Sequence, residues 1–214
     1  MKSFVAYPFE FDILPQTLPV QSSGKLVAHY ELFKKVKHLD GAIIKCGITA
    51  EEGFTRFAMF RQLTGTRANQ KMIAFQKFPP FFDQEVNDDG GVTLMVKTKN
   101  SDQIDYVQKK LTENGQRENI DFVAGGVCNS IPEYLIENPE LKIAMLNIDL
   151  DDYEGAITAL EFLYPRLVQG GILILDNYHK NLEEKKAVDD YFVPYGPQLN
   201  SFLVNRGPHY IIKP

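Results

Sequence analysis

KIAMLNIDLDDYEGAITALEFLYPRLVQGGILILDN, residues 142–177, holds two nearly all-apolar runs, Ile143–Ile148 and Ile172–Leu175, each followed at once by carboxylates. Continuous apolar runs of this length read as strands buried on both faces of a sheet. Between them Ala156, Leu160, Leu163 and Leu167 mark one face of a helix spanning Tyr153 to Val168, and Gly170-Gly171 stops it before the second strand. Strand, helix and strand make a βαβ unit, whose two strands are neighbours about two-thirds of the time. Asp149 and Asp151 then end one strand, and Asp176 with Asn177 ends the other. That edge is where the crevice of an α/β sheet opens and holds ligands.

The same alternation extends outward. Leu26, Val27, Tyr30, Phe33 and Val36 give a helix over 25–38, and Ala42–Ile44 enters a strand with Gly47 just past it. A helix over 53–64 and a strand at 72–75 complete a second βαβ unit. Pro79-Pro80, Asn87-Asp88-Asp89 and Gly90-Gly91 make 79–101 a long loop with a short strand at 92–96. A helix over 104–114, a strand at 120–124, and a helix over 131–137 opened by Ser130 with Pro132 in its first turn come next. After a helix over 182–191, the segments 201–205 and 209–213 close the chain as a β-hairpin. The expected architecture is α/β, a mainly parallel sheet with a C-terminal antiparallel hairpin. Residues 1–24, rich in Pro, Phe, Ser and Gln without helical period, form an arm or lid ahead of a single domain over 25–214.

Composition limits the function. With 214 residues, 44% hydrophobic and 24% charged, the chain is one globular domain, with no stretch that spans a bilayer. The N-terminus lacks a signal peptide, so the expected location is cytoplasmic. A net charge of −5 without a basic stripe argues against a nucleic-acid partner. Cys46 and Cys128 lie far apart in apolar segments, as reduced core thiols rather than a disulfide or zinc pair.

Asp149, Asp176 and Asn177 supply hard oxygen donors that suit magnesium, manganese or calcium and leave room for a substrate oxygen. The plain alternative is that these residues only end strands and cap helices. For proton removal Asp149 or Asp151 leads, because a metal-bound hydroxyl needs only a weak base, and His179 stands two residues past Asn177 as a further candidate. His29, His38 and His209 offer no constellation in the sequence.

The stretches GAIIKCGI (41–48), MIAFQKFPPF (72–81), GGVCNSIPEYL (125–135), the block 146–178, KKAVDDYF (185–192) and HYIIKP (209–214) resemble the macrocin O-methyltransferase family of sugar methyltransferases. The resemblance runs from about residue 25 to the C-terminus. It implies a Rossmann-like class I methyltransferase fold, S-adenosylmethionine as cofactor, and methyl transfer, assisted by Mg2+ or Mn2+, to a hydroxyl of a sugar or polyol-containing small molecule. It implies metal ligation by Asp149, Asp176 and Asn177, the last standing where the sugar enzymes usually have a second Asp. The implied cofactor-binding set is Lys45, Gly47, Ile48, Gly53, Gln76, Gly126 and Asp149. A homodimer is common among similar enzymes.

Three positions depart from the pattern: Lys45 stands where the family has an acid, Glu51 where a loop glycine is expected, and Gln76 where an acid holds the cofactor ribose. An amide still bonds a hydroxyl. A lysine beside a sulfonium and an ammonium is repulsive, by about 4 kcal/mol per pair at 4 Å and an effective dielectric of about 20. A Lys45–Glu51 salt bridge would neutralise both. The rival reading is therefore a methyltransferase-like protein with a degraded cofactor site, acting in binding or assembly or holding another ligand.

Overall fold

The structure, a computed structural model, describes residues 20–47, 52–65, 70–76, 81–86, 92–97, 112, 119–194, 196, 198–202 and 207–214. Helix α1 (Val20–Val36) leads into β1 (Ala42–Cys46), α2 (Glu52–Leu63) and β2 (Met72–Gln76). A hairpin of β3 (Phe81–Val86) and β4 (Val92–Lys97) follows, then β5 (Ile120–Ala124), α3 (Val127–Glu137), β6 (Ile143–Ile148) and α4 (Tyr153–Leu163). A 3-10 turn at Tyr164–Arg166, β7 (Leu167–Leu175), α5 (Leu182–Phe192), β8 (Asn200–Ser201) and β9 (His209–Ile212) complete the described chain.

Seven strands form one sheet in the order β5-β2-β1-β6-β7-β9-β8. The first five are parallel, while β9 runs antiparallel to β7 and β8 to β9. This is the expected mixed α/β sheet with an antiparallel C-terminal edge. From β1 the chain proceeds to β2 and β5 on one side, and from β6 to β7 on the other. The order thus reverses between β1 and β6, and the ligand crevice of a doubly wound sheet opens at such a reversal.

Strand alternation divides the interior into two cores. Ile44, Cys46, Leu146, Ile148, Leu173 and Leu175 pack with α3, α4 and α5 residues such as Ile131, Leu160 and Val188. Ile43, Met72, Ala74, Met145, Ile172 and Ile174 pack under α1 and α2, against Leu32, Phe33, Phe54, Phe57 and Phe60.

Several boundaries depart from the sequence reading. Helix α1 starts at Val20, inside the stretch assigned to the arm. Helix α3 starts at Val127 with Gly126 as its N-cap, so Ser130 lies within the first turns, buried, its hydroxyl without a partner. Helix α4 ends at Leu163 instead of running to Val168, because Pro165 turns the chain into a 3-10 segment and β7 begins at Leu167. Gly170-Gly171 therefore lies inside a nine-residue strand, not at a helix end. There Gly171 passes so close to β6 that a Cβ would sit 3.1 Å from the Ala144 carbonyl oxygen. The long loop at 79–101 contains the β3–β4 antiparallel pair, aligned from Phe81 opposite Lys97 to Val86 opposite Val92. The helix expected over 104–114 lies outside the described residues apart from Thr112. Cys46 is buried as expected, its thiol pushed up to about 12 by burial, but Cys128 is exposed, because α3 turns Val127, Ile131 and Leu135 inward.

Candidate active site

The crevice between β1 and β6 is lined by residues that strand register brings level. Lys45 and Asn147 are direct partners across β1 and β6, and Asn147 is level with Ile174 of β7, two residues before Asp176. By alternation Lys45, Asn147 and Asp176 share the face that α1 and α2 cover. Backbone bonds fix the strand ends: Asp149 N–H donates to the Cys46 carbonyl at 2.9 Å, and Asp176 N–H to the Ile148 carbonyl at 3.1 Å. Gly47, with φ of +80°, lets the turn after β1 run against that end; a Cβ there would lie 1.9 Å from the Asp149 carbonyl oxygen.

Asp149 and Asp176 face one another across a set of donors from this chain. Asp176 Oδ1 accepts from His29 Nε2 at 2.8 Å, and Oδ2 accepts from Asn147 Nδ2 and pairs with Lys25, each at 3.1 Å. Asp149 Oδ1 accepts from Asn177 Nδ2 at 2.6 Å, and Oδ2 pairs with Lys45 at 3.1 Å and Lys25 at 3.8 Å. Lys45 also donates to Asn147 Oδ1 at 2.8 Å and lies 3.9 Å from Asp176 Oδ2. Its aliphatic end is closed over by Gly53, where a Cβ would come within 2.5 Å of Lys45 Cε.

Burial alone would raise the Asp176 carboxyl, but His29, Lys45 and Lys25 outweigh it and hold the group well below the ordinary carboxylate range. Burial pushes the His29 imidazole down, against the pull of Asp176. Arg56 Nη1 meets His29 Nδ1 at 3.3 Å, which makes Nδ1 the acceptor and leaves Nε2–H to donate to Asp176. The pair is a neutral imidazole on an ionised carboxylate.

A further carboxyl ties the two strand-end loops together. Glu184 of α5, fully buried, accepts Leu150 N–H on Oε2 at 3.2 Å and Asn177 N–H on Oε1 at 3.0 Å. Burial raises its pKa to about 8 in spite of those two bonds, with Asp149 and Asp176 pushing the same way.

The expected site residues divide accordingly. Asp149, Asp176, Asn177 and Lys45 converge, and Gly47 and Gly53 shape the space around them. Gly126 caps α3 at the end of β5, where a Cβ would meet nothing within 4 Å. Ile48 and Glu51 lie outside the described residues, and of Gln76 only the backbone is described. Asp151 is exposed and takes a long contact from Asn181 at 3.4 Å, while His179 is exposed with its ring 5.7 Å from that of His209. The described partners of Lys45 are Asn147, Asp149 and Asp176. Lys25, His29, Arg56 and Glu184 belong to the site and were missed: each comes from a helix distant in sequence, and no motif marks them.

Seen against known proteins, this mostly parallel seven-stranded sheet is that of class I methyltransferases. The apo structure of CalS11, a TDP-rhamnose 3'-O-methyltransferase of calicheamicin biosynthesis, is similar with a TM-score of 0.76 at 22% identity, over 96% of this chain and 87% of that one. A second CalS11 structure gives 0.73 at 25%, over 94% and 83%. The O-methyltransferase NovP gives 0.63 at 18%, over 89% and 79%. No curated protein matches the sequence significantly. The macrocin-O-methyltransferase (TylF) family model matches residues 35–194, more than half of the chain, which therefore belongs to that family of O-methyltransferases.

Proposed function

We propose that this protein transfers a methyl group from S-adenosylmethionine to a hydroxyl of a sugar-bearing small molecule, at the crevice between β1 and β6. The observation that carries the reading is Asp149, set at the strand-order reversal with its carboxylate fixed by Lys45 and Asn177, in a chain of this family.

The residues present fit the cofactor. Gly47 keeps the turn after β1 free of a side chain, and Gly126 opens onto free space at the end of β5. The Lys45 ammonium is not bare, since Asp149 and Asp176 lie within 3.9 Å of it, so the repulsion expected from sequence is screened at its source. When bound, the cofactor supplies a methyl group on a positively charged sulfur. Asp149, at the mouth of the crevice, receives the proton of the acceptor hydroxyl as the new bond forms. Asp176 and His29 hold Lys25 and the strand end in place. Asp151 and His179 are exposed on the turns that follow β6 and β7.

The expected divalent ion does not fit these residues as they stand, because two ammonium groups lie between Asp149 and Asp176. Among the described residues no three His, Cys, Asp or Glu side chains are grouped so as to hold a metal.

The rival reading, a family member that holds another ligand without methyl transfer, is favoured by Lys45 where the resemblance gives an acid. Transfer of labelled methyl from S-adenosylmethionine to a panel of nucleotide-linked deoxysugars separates the two. Asp149→Asn is expected to lower turnover by about 10²-fold or more, the usual worth of a positioned base. Transfer that survives the substitution unchanged contradicts the role given to Asp149.

A further inference from the structure

The two carboxylates at the heart of the site are already served by cations of the chain. Each of the four oxygens of Asp149 and Asp176 meets a donor: Asn177 and Lys45 on the first, His29 and then Asn147 with Lys25 on the second. Both ammonium groups lie within 4 Å of both carboxylates, at 3.8 and 3.1 Å for Lys25 and at 3.1 and 3.9 Å for Lys45. Two negative charges are matched by two positive ones. A hard dication bound to these oxygens at about 2.0–2.6 Å would share the space of those ammonium groups.

Lys45 has nowhere to retreat. Its side chain is 2% exposed, it is anchored on Asn147, and Gly53 lies over its Cε. Lys25 is 30% exposed and reaches in from α1. A buried carboxylate needs a partner, and here the partner is supplied by β1 and α1.

We infer that Lys25 and Lys45 take the place of a divalent cation, their two ammonium groups carrying between Asp149 and Asp176 the two positive charges such an ion would bring, so that the site neither binds nor needs one. The exclusion of the ion rests on geometry alone. Its consequence for turnover rests on the methyl-transfer reading. In that setting Lys25, the more exposed of the two, positions the acceptor oxygen that an ion would otherwise hold.

The test is calorimetric titration of the full-length, chelator-treated protein with MgCl2 and with MnCl2, beside a Lys25→Ser, Lys45→Met double variant whose folding is checked by circular dichroism. The wild type is expected to show no saturable binding at millimolar ion. The double variant, with two uncompensated carboxylates, is expected to bind Mn2+ at least about tenfold more tightly, and its thermal midpoint to rise with the ion. Saturable Mn2+ binding by the wild type that Asp176→Asn abolishes would overturn the inference, and so would a folded double variant that gains no affinity. If the double variant does not fold, Lys25→Ser alone is read in the same way. S-adenosylhomocysteine titrated into the same wild-type sample reports separately: its failure to bind sinks the methyl-transfer reading and leaves the ion result standing.

Discussion

Asp176 is the residue on which the polar cluster turns. It is buried and ionised, and His29, Asn147, Lys25 and Lys45 all lie on it. Removing its charge leaves a buried ammonium short of a partner, a loss on the order of 3–5 kcal/mol. Asp176→Asn should therefore lower the urea midpoint by a corresponding amount with the denaturant slope unchanged; a loss below about 1 kcal/mol would mean the cluster relaxes freely. Glu184 makes a pH prediction. Its folded pKa, about 8, is raised above the ordinary 4.5, so the folded state holds the proton more tightly. The contribution is whole below the ordinary value and is lost as pH rises through about 8, by up to about 1.4 kcal/mol per unit. Urea unfolding at several pH values should show that decline in the wild type and a flatter profile in Glu184→Gln. At this scale Asp149 and Asp176 were legible, because a carboxylate ending an apolar strand marks the ligand edge. His29 was not, since it meets Asp176 across 147 residues of sequence and nothing local distinguishes it from a core histidine.

Among the elements, β6 and β7 were read correctly as adjacent buried strands, because continuous apolar runs separated by one amphipathic helix allow few other arrangements. The ends were harder. Leu167 matched the helical period and was read into α4, yet Pro165 breaks the helix and the residue opens β7. Ser130 fitted a cap by residue type, but a backbone-only N-cap at Gly126 starts α3 earlier, since the glycine pair after β5 already makes the turn. The turn after β1 carries the sharpest element-scale prediction. Gly47 combines φ of +80° with an approach no Cβ can share, so Gly47→Ala must displace the end of β1 or that of β6. The variant should lose stability by more than the roughly 1 kcal/mol of a simple left-handed penalty and lose S-adenosylhomocysteine affinity with it. Wild-type affinity and midpoint in that variant would show that the close approach is not needed.

For the molecule as a whole, the strand order reverses between β1 and β6, the point where a doubly wound sheet opens its ligand crevice. Among the described residues no helix is long and apolar enough to cross a membrane. The sequence showed Lys45 as an anomaly against the family pattern but not what answers its charge, because its partners lie on β6, on the turn after it and on the end of β7. In the folded chain it is one half of a lysine pair that balances Asp149 and Asp176. The account therefore stands on the crevice accepting the cofactor with Lys45 in place. Calorimetric titration of the wild-type protein with S-adenosylhomocysteine in chelator-treated buffer addresses this directly. Saturable one-to-one binding without added metal is the predicted result, and absence of binding at millimolar ligand would contradict it.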